Sequence, residues 1–470
     1  MTVTTHAHPP GGMRKSLGLW DYFAIGFGAI IGTGWLLMVG DWIDLGGGPA
    51  PAMAAFALGA LALVPIGAVF GELTSAIPAS GGTVEYVGRA FGRRAAFAAG
   101  WLLALGDGIL CPWESIALSC LAAEFLPAFK SHLLYTVDGE PVYLFTLLFS
   151  LAVSGYIAYM NHRGVQYAAW IQRWMTRILL GSMFAAIAVA LVFGSPANLV
   201  PSRLPSPSVH GFWIALLPVL VMTPFFFTGF DTIPQQAEEA VESLDRSRLG
   251  RMIAVALLSS GAFYVAAIFA FGSLIPWKAF ITYPVPALTV LDQVLGLTLF
   301  AKFMMFAAFC GIVTTLNAMF GATARILLAM ARKGDLPEVF ARLHPDHRTP
   351  VGGNLLLTVL TLAGPFFGKR LLVPLTNVCA FVYVLSCLMV CLAAFTLRLS
   401  EPGLVRPYRV PGGLAGIGAA ILIATAILLL MAVPGSPSAL SPVEWAIVLA
   451  WTLLGSTLFI TRSHRTRVLD

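Results

Sequence analysis

Of the 470 residues, 58% are hydrophobic and only 11% are charged, and the mean hydropathy is +0.85. A soluble globular chain is nearer a quarter charged, so the composition excludes a soluble fold. The net charge of +6 needs no nucleic-acid partner, because basic residues flanking membrane spans and the anionic headgroups of a lipid bilayer account for it.

Apolar runs of about 20 residues are long enough to cross roughly 30 Å of hydrocarbon, and the chain contains about twelve of them. The predicted spans are 20–44, 50–73, 95–127, 141–161, 165–194, 210–235, 250–275, 293–331, 352–368, 371–397, 414–433 and 442–462. We therefore predict an all-α protein that crosses the cytoplasmic membrane of the cell about twelve times.

The basic residues predict the orientation, because short loops rich in Lys and Arg stay on the cytoplasmic side. With Met1 inside, the basic residues that fall outside are Lys130, Arg203, Lys278, Lys302, Lys369 and Arg370. Both termini are then cytoplasmic, which fits an even number of spans. Residues 1–16 are predicted to be a cytoplasmic tail rather than a cleavable signal peptide, since a full-length span follows.

Neither the cysteines nor the histidines suggest a metal site. The six cysteines lie within predicted spans and form no CxxC pair, so they are interpreted as buried small apolar residues. His344 and His347, in HPDH, have no further ligands nearby in the sequence. We predict no metal and no cofactor.

Two predicted spans carry residues that disfavour a continuous helix. The first contains GFGAIIGTGW at 26–35, and the sixth contains TPFFFTGFDTIPQQ at 223–236, with Pro224 and Gly229. Irregular backbone at mid-membrane is tolerated only where it is buried in protein or lines a water-filled cavity. An alternative for the first span is that its glycines form a GxxxG motif for close helix packing.

Gly32 and Gly229 hold corresponding places if spans one to five and six to ten form two inverted halves. Such paired interruptions point to a midplane substrate site in secondary transporters. The predicted transport core is residues 17–410, with repeat one over about 20–194 and repeat two over about 210–397. Residues 411–470 would add two peripheral helices and a cytoplasmic tail.

Five segments, in chain order, resemble the amino acid, polyamine and organocation permease superfamily, whose fold is that first described for the bacterial leucine transporter. They are GAIIGTGW at 28–35, ELTSAIPASGGTVEYVGRAFG at 72–92, NHRGVQ at 161–166, FTGFDTIPQQAEE at 227–239 and ARILLAMARKGDLP at 324–337. The resemblance implies a ten-helix core of two inverted repeats that works by alternating access. It also implies that substrate binds between the broken first and sixth helices.

The resemblance implies a set of binding residues as well. The family binds an amino acid's carboxylate at backbone N–H groups of the first-helix break, here Ile31, Gly32, Thr33 and Gly34. Free donors at the start of a half-helix suit an anion. The carbonyls that would hold the substrate ammonium belong to Ala29, Ile30, Phe225, Phe226 and Thr228. The aromatic gate of the family maps to Phe225, Phe227 and Phe230.

The ion that drives transport is not identified by the resemblance. Proton-coupled members carry a fifth-helix lysine, but the corresponding position, counted from Asn161, is Leu179. Sodium-coupled relatives combine carbonyls of helix one with hydroxyls of helix eight, for which Thr314 and Thr315 are candidates.

Three acidic residues fall at hydrocarbon depth, where ionisable groups are costly and usually functional. Asp231 would carry a proton, bind a cationic group or pin the gate, or else cap the half-helix that follows the break. Glu114, just after Pro112, would face the substrate cavity or pair with an interior Arg. Asp107, about two turns earlier on a similar helix face, would line the same pathway or make a structural hydrogen bond.

Three functions fit these features. The first is a permease for an amino acid, linked to protons or to exchange. The second is a permease for a polyamine or other amine, favoured if the three carboxylates meet in one cavity. The third is an intramembrane enzyme, against which stands the lack of HExxH, GxSxG or a P-loop in the sequence, so we predict no enzyme. The sequence leaves open the particular small-molecule substrate, the choice of proton or sodium, and the oligomeric state.

Overall fold

The part of the chain that the structure describes is almost entirely helical. The structure is a computed structural model, and it describes residues 17–79, 81–137, 139–164, 168–199, 209–237, 240–241, 244–283, 285–436 and 438–469. The predicted cytoplasmic tail, residues 1–16, lies outside these ranges.

The elements follow one another along the chain as helices, with one β-hairpin between the sixth and seventh. The α-helices are α1 (Leu19–Ile30), α2 (Gly34–Leu37), α3 (Val39–Leu45), α4 (Pro49–Ala76), α5 (Thr83–Phe91), α6 (Arg93–Phe125), α7 (Leu144–Arg163), α8 (Ala168–Phe193), α9 (Val209–Phe227), α10 (Thr232–Gln235), α11 (Arg246–Gly272), α12 (Trp277–Phe280), α13 (Pro286–Thr289), α14 (Thr298–Arg332), α15 (Glu338–Ala341), α16 (Val351–Ala363), α17 (Leu372–Ser400), α18 (Leu414–Ala432) and α19 (Pro442–Leu469). The antiparallel hairpin consists of β1 (Leu133–Val137) and β2 (Glu140–Tyr143).

Most of the predicted spans correspond to helices of membrane-spanning length. Among the described residues, 10 helices are long and apolar enough to cross a membrane. The pair Leu19–Leu37 and Val39–Leu45, bent by 71°, adds an eleventh if it counts as one span. The predicted ninth span corresponds to a shorter apolar helix, Val351–Phe367. The chain is therefore an all-α, multi-pass membrane protein, and a total of about twelve crossings stays a prediction.

The first and sixth predicted spans are both interrupted. In the first, α1 ends at Ile30 and helix resumes at Gly34. In the sixth, α9 ends at Phe227 and α10 begins at Thr232. Between them lies Gly229 with φ +120°, a conformation that a residue with a side chain rarely adopts. The glycine therefore sets the place of the second interruption.

Prolines within the spans do not interrupt their helices. The sixth span was expected to break at Pro224 or Gly229, but α9 continues through Pro224. Similarly, α6 continues through Pro112 without a break. Neighbouring helices can satisfy the carbonyl that a proline leaves without a donor, so a packed membrane helix tolerates it.

Small residues allow the long helices to pack closely. A Cβ on Gly71 of α4 would lie 2.7 Å from the Cα of Gly250 on α11. A Cβ on Gly353 of α16 would lie 3.0 Å from the Cα of Ala324 on α14. Because lipid tails give no hydrophobic drive between helices, close packing of this kind holds the bundle together.

A buried ion cluster ties the end of α4 to the end of α17. Glu72 is 1% exposed and accepts hydrogen bonds from Arg398 at 2.6 and 2.7 Å. The Nε of Arg406 lies 3.1 Å from the same carboxylate, and the backbone N–H of Val410 donates to it at 2.8 Å. One carboxylate thus holds two guanidinium groups and the segment that follows α17.

We expect Glu72→Gln to lower the stability of the protein by about 3 kcal/mol, because it leaves buried guanidinium charge uncompensated. The measurement is the melting temperature of the purified protein in detergent. Glu401→Gln is the matched control, since Glu401 pairs with Arg89 on the exposed surface of the same end and should matter little. Equal losses in the two variants would contradict the role of the buried cluster.

Candidate functional site

The interruption of the sixth span lies directly against the last turn of α1, just before the first interruption. A Cβ placed on Gly229 would lie 2.9 Å from the carbonyl carbon and 2.9 Å from the Cβ of Ala29, and 2.8 Å from Met319. Such distances are shorter than side chains tolerate, so only glycine lets the α9–α10 turn approach α1 this closely. The structure therefore brings together the first and sixth spans at the segments that the sequence marked as irregular.

Side chains of neighbouring helices satisfy the carbonyls near the first break. Tyr264 on α11 donates its hydroxyl to the carbonyl of Ile30 at 3.0 Å. Thr315 on α14 donates to the carbonyl of Gly28 at 3.3 Å. Thr314 instead donates to a carbonyl of its own helix. Of the two threonines named as sodium candidates, the structure therefore places only Thr315 in hydrogen-bond contact with α1.

One of the predicted phenylalanines lies against the first break, and a second packs beside it. A Cβ on Gly34 would come within 2.7 Å of the ring of Phe226, whose centroid is 4.7 Å from that of Trp42. Phe225 packs beside Phe226 and lies 5.2 Å, between ring centroids, from Trp113. These rings form an aromatic wall against the segment that the sequence assigned to the substrate's carboxylate.

The other two phenylalanines make ring contacts mainly with α4 and its neighbours. Phe227 packs against Phe56 with ring centroids 6.4 Å apart. Phe230 packs against Phe70 at 5.3 Å and Tyr383 at 5.8 Å. Both phenylalanines are fully buried, so they shape the surroundings of the second break.

Glu114 of α6 reaches the first break. Its Oε2 accepts a hydrogen bond from the Thr33 hydroxyl at 2.9 Å. Its Oε1 lies where a Cβ on Gly32 would be, so the carboxylate rests on the Gly32 backbone. Glu114 is 2% exposed and Thr33 is 0% exposed. Of the roles considered for Glu114, the structure favours contact with the predicted substrate segment over a pair with an interior Arg.

Asp107 and Asp231 form a separate buried group beside the second break. Asp231 accepts from the Tyr383 hydroxyl at 2.8 Å and from the Gln235 amide at 2.6 Å. The same amide lies 3.4 Å from a carboxylate oxygen of Asp107. Asp231 makes no side-chain capping bond to α10, which speaks against the capping interpretation.

The three carboxylates fall into two groups. Glu114 bonds to Thr33 at the first break, whereas Asp231 and Asp107 share Gln235 at the second. The sequence left two roles open for Asp107, which were lining the same pathway as Glu114 and making a structural hydrogen bond. The contact with Gln235 is compatible with either role, so the choice between them stays open.

Three residues that contact these groups were not singled out by the sequence. They are Gln235, Tyr264 and Tyr383. Each places a polar atom inside an apolar span, where it needs a hydrogen-bond partner because lipid offers none. A sequence can therefore show that such a residue needs a hydrogen-bond partner inside the protein. It does not show which residue the partner is, because that depends on how the helices pack.

Comparison with known proteins agrees with this architecture. A family model described as amino acid permease matches residues 17–456, which is most of the chain. The chain belongs to the amino acid permease family. Family membership points to a transporter rather than an enzyme, and to a small-molecule cargo.

Several members of the family are similar along their lengths. The branched-chain amino acid permease BcaP of Bacillus subtilis (strain 168) is 26% identical over 465 residues, covering 96% of this chain and 94% of that protein. The methylthioribose transporter of the same organism is 25% identical over 465 residues, covering 97% and 95%. The L-asparagine permease of Escherichia coli (strain K12) is 27% identical over 367 residues, covering 77% and 70%.

Gly229→Ala should destabilise the protein by about 2 kcal/mol or more, because the new Cβ overlaps Ala29 and the backbone keeps a positive φ. The melting temperature in detergent reports the loss. Gly181→Ala on α8 is the control, since no described atom lies within 4 Å of its added Cβ. A Gly229→Ala protein as stable as the control would mean that the two breaks do not meet as described.

Proposed function

We propose that this protein is a secondary active transporter that moves an amino acid across the cytoplasmic membrane by alternating access, linked to protons or to exchange. The observation that carries the proposal is the contact of the sixth-span break, at Gly229, with Ala29 in the last turn of α1, next to the first break. Irregular backbone inside a membrane bundle is a feature of transporter binding sites. The relatives named as permeases for branched-chain amino acids and for L-asparagine support an amino acid as the cargo.

The proposed transport core is the inverted repeat within residues 17–410, with repeats over about 20–194 and 210–397 and two further helices after residue 410. The interruptions of the first and sixth spans support it, since they hold corresponding places in the two halves. The long helices α6 and α14 also match, as the third and eighth spans. The excess of basic residues on one side supports cytoplasmic termini.

Substrate binding is proposed at the two breaks. The carboxylate would accept hydrogen bonds from backbone N–H groups of Ile31, Gly32, Thr33 and Gly34. In the structure the Ile31 N–H donates to the Phe27 carbonyl at 2.9 Å and the Gly32 N–H to the Ile30 carbonyl at 3.2 Å, so these two bonds would have to open for the substrate. The ammonium would lie among carbonyls of Ala29, Ile30, Phe225, Phe226 and Thr228, with the aromatic rings of Phe225, Phe226, Phe227 and Phe230 around the side chain. The close approach of Phe226 to Gly34 supports this placement, because it puts the two spans in contact beside the first break.

Alternating access requires the start of α1 to separate from its neighbours. In the structure Asp21 pairs with Arg173 of α8. The Tyr22 hydroxyl donates to the carbonyl of Gln236 at 2.7 Å, and the Val241 N–H donates to the carbonyl of Leu17 at 3.1 Å. In the structure the start of α1 is therefore bound to its neighbours, and opening that side of the protein would break these contacts.

Asp231 is the proposed residue for proton coupling, with Asp107 beside it. Both are fully buried and share the Gln235 amide, and they lie next to the second break. Ionisable side chains in such positions of membrane bundles often take part in proton transfer. A sodium ion at Thr315 remains the alternative, supported by the contact of its hydroxyl with the Gly28 carbonyl.

A permease for an amine without a carboxylate is the second candidate. The observation that favours it is the Glu114 carboxylate at the first break, which would pair with a cationic group. The separation of Glu114 from Asp107 and Asp231 weighs against it, because the three acids do not form one cation-binding cluster.

A thermal-shift screen of the purified protein distinguishes these candidates. The ligands are the proteinogenic amino acids, their decarboxylated amines and common polyamines. We expect stabilisation by at least one amino acid and not by its amine, because a ligand at about 100 times its Kd adds about 2.7 kcal/mol to the folded state. Stabilisation by amines alone would replace the first candidate with the second.

Gly32→Leu should abolish that amino-acid response and amino-acid uptake into proteoliposomes, because a large side chain would fill the first break. Gly181→Leu is the control, since it lies in open space on α8 and should retain both activities. Normal uptake by a correctly inserted Gly32→Leu protein would place the substrate elsewhere.

Asp231→Asn should remove the response of uptake to an inward proton gradient, because the amide cannot release a proton, while exchange of labelled for unlabelled substrate continues. Asp44→Asn serves as control, since Asp44 is exposed on α3. An unchanged gradient response in Asp231→Asn would exclude this residue as the coupling group.

A further inference from the structure

We propose that Glu114 is an internal competitor for the substrate: its carboxylate occupies the first break and has to leave before an amino acid's carboxylate binds there. This inference rests on the proposed function, since it concerns the same break. It adds a residue that sets the balance between amino acids and amines.

Two contacts define the position of the Glu114 carboxylate. One oxygen accepts from the Thr33 hydroxyl at 2.9 Å, and the other rests where a Cβ on Gly32 would project. The side chain comes from α6, which is a continuous helix. The carboxylate therefore lies against Gly32 and Thr33, which are two of the residues proposed to receive the substrate's carboxylate.

Two carboxylates do not fit at this place together. A substrate oxygen would have to come within about 3 Å of a backbone N–H of the break to form a hydrogen bond. The Glu114 oxygens already lie against Gly32 and Thr33, so the two groups would overlap or lie in contact. An ionised Glu114 would also repel the negative charge of the substrate, and repulsion between charges is strong where water is excluded. Binding of an amino acid in this orientation therefore requires displacement of Glu114.

Only weak forces oppose that displacement. Within the described part of the chain, the ion pairs with Lys or Arg involve acids other than Glu114. Its hydrogen-bond donors, the Thr33 hydroxyl and the Thr33 backbone N–H, are both neutral groups. The carboxylate of a bound substrate would accept hydrogen bonds from the donors of the break in place of the glutamate. The donors therefore keep a carboxylate acceptor after the exchange.

An amine has the opposite relation to Glu114. It brings no carboxylate to compete, and its ammonium gains a counter-charge from the glutamate where it lies. Occupancy of the break by Glu114 should therefore weaken amino-acid binding and strengthen amine binding. Apparent affinity falls by the fraction of molecules in which the break is free.

Binding of labelled amino acid and of its decarboxylated amine to the purified protein in detergent tests the proposal. The amino acid is the one that gives the largest shift in the thermal screen. In Glu114→Ala we expect its Kd to fall on the order of tenfold, the factor expected if the break is free in about one molecule in ten. The Kd of the amine should rise in the same variant.

Glu114→Gln is the second variant, because it keeps the size of the side chain and removes the charge. Its amino-acid affinity should lie between those of the wild type and Glu114→Ala, and its amine affinity should fall. Glu124→Ala is the matched control, since Glu124 lies on the same helix and pairs with Lys130 at the surface. It should bind both ligands like the wild type.

The outcomes separate this inference from the proposed function. An amino acid that binds the wild type, but binds Glu114→Ala and Glu114→Gln no better, would overturn the inference and leave the proposed function standing. Amino-acid binding by none of the proteins would overturn the proposed function, and the competitor with it.

Discussion

Unpaired backbone groups inside a membrane must find partners within the protein, and the rest of this structure depends on how the two helix breaks meet that requirement. The carbonyls of Gly28 and Ile30 receive hydroxyls from Thr315 and Tyr264. At the second break, the Thr232 hydroxyl donates to the carbonyl of Gly229 at 2.7 Å. These contacts fix α11 and α14 around the breaks. The hydrogen bonds from α11 and α14 thus stabilise the irregular backbone. Any opening of the site has to break these bonds or move the two helices together with α1.

The buried carboxylates form two separate sets, one at each break. Glu114 contacts the first break through Thr33, and Asp231 lies at the second with Tyr383 and Gln235. The unbroken helix α6 contributes to both sets, since it carries Glu114 and also Asp107. In the proposed mechanism the first set faces the substrate and the second carries the proton. Because α6 carries Glu114 in the first set and Asp107 in the second, it physically connects the proposed substrate site with the proposed proton site.

The sequence predicted the class of the fold and the place of the breaks better than the contacts of the site. Periodic apolar runs predict membrane helices because length and hydropathy are local properties, and the glycines of GAIIGTGW mark the first break. Pro224 and Pro112 were less informative, since packed neighbours let both helices continue. The bond from Tyr383 to Asp231 and the contact of Gln235 with Asp107 join residues more than a hundred positions apart, which local patterns do not contain. The sequence likewise predicted that Glu114 lies at hydrocarbon depth, but it did not predict the hydrogen bond to Thr33.

An experimental structure with a bound amino acid, determined by electron cryo-microscopy in nanodiscs, tests the central claim most directly. The account predicts that the ligand lies between the first break and the ring of Phe226. Its carboxylate should contact the backbone of Gly32 and Thr33, and the Glu114 side chain should point away from them. A ligand bound elsewhere in the bundle, or one bound at the breaks with Glu114 still hydrogen-bonded to Thr33, would contradict it.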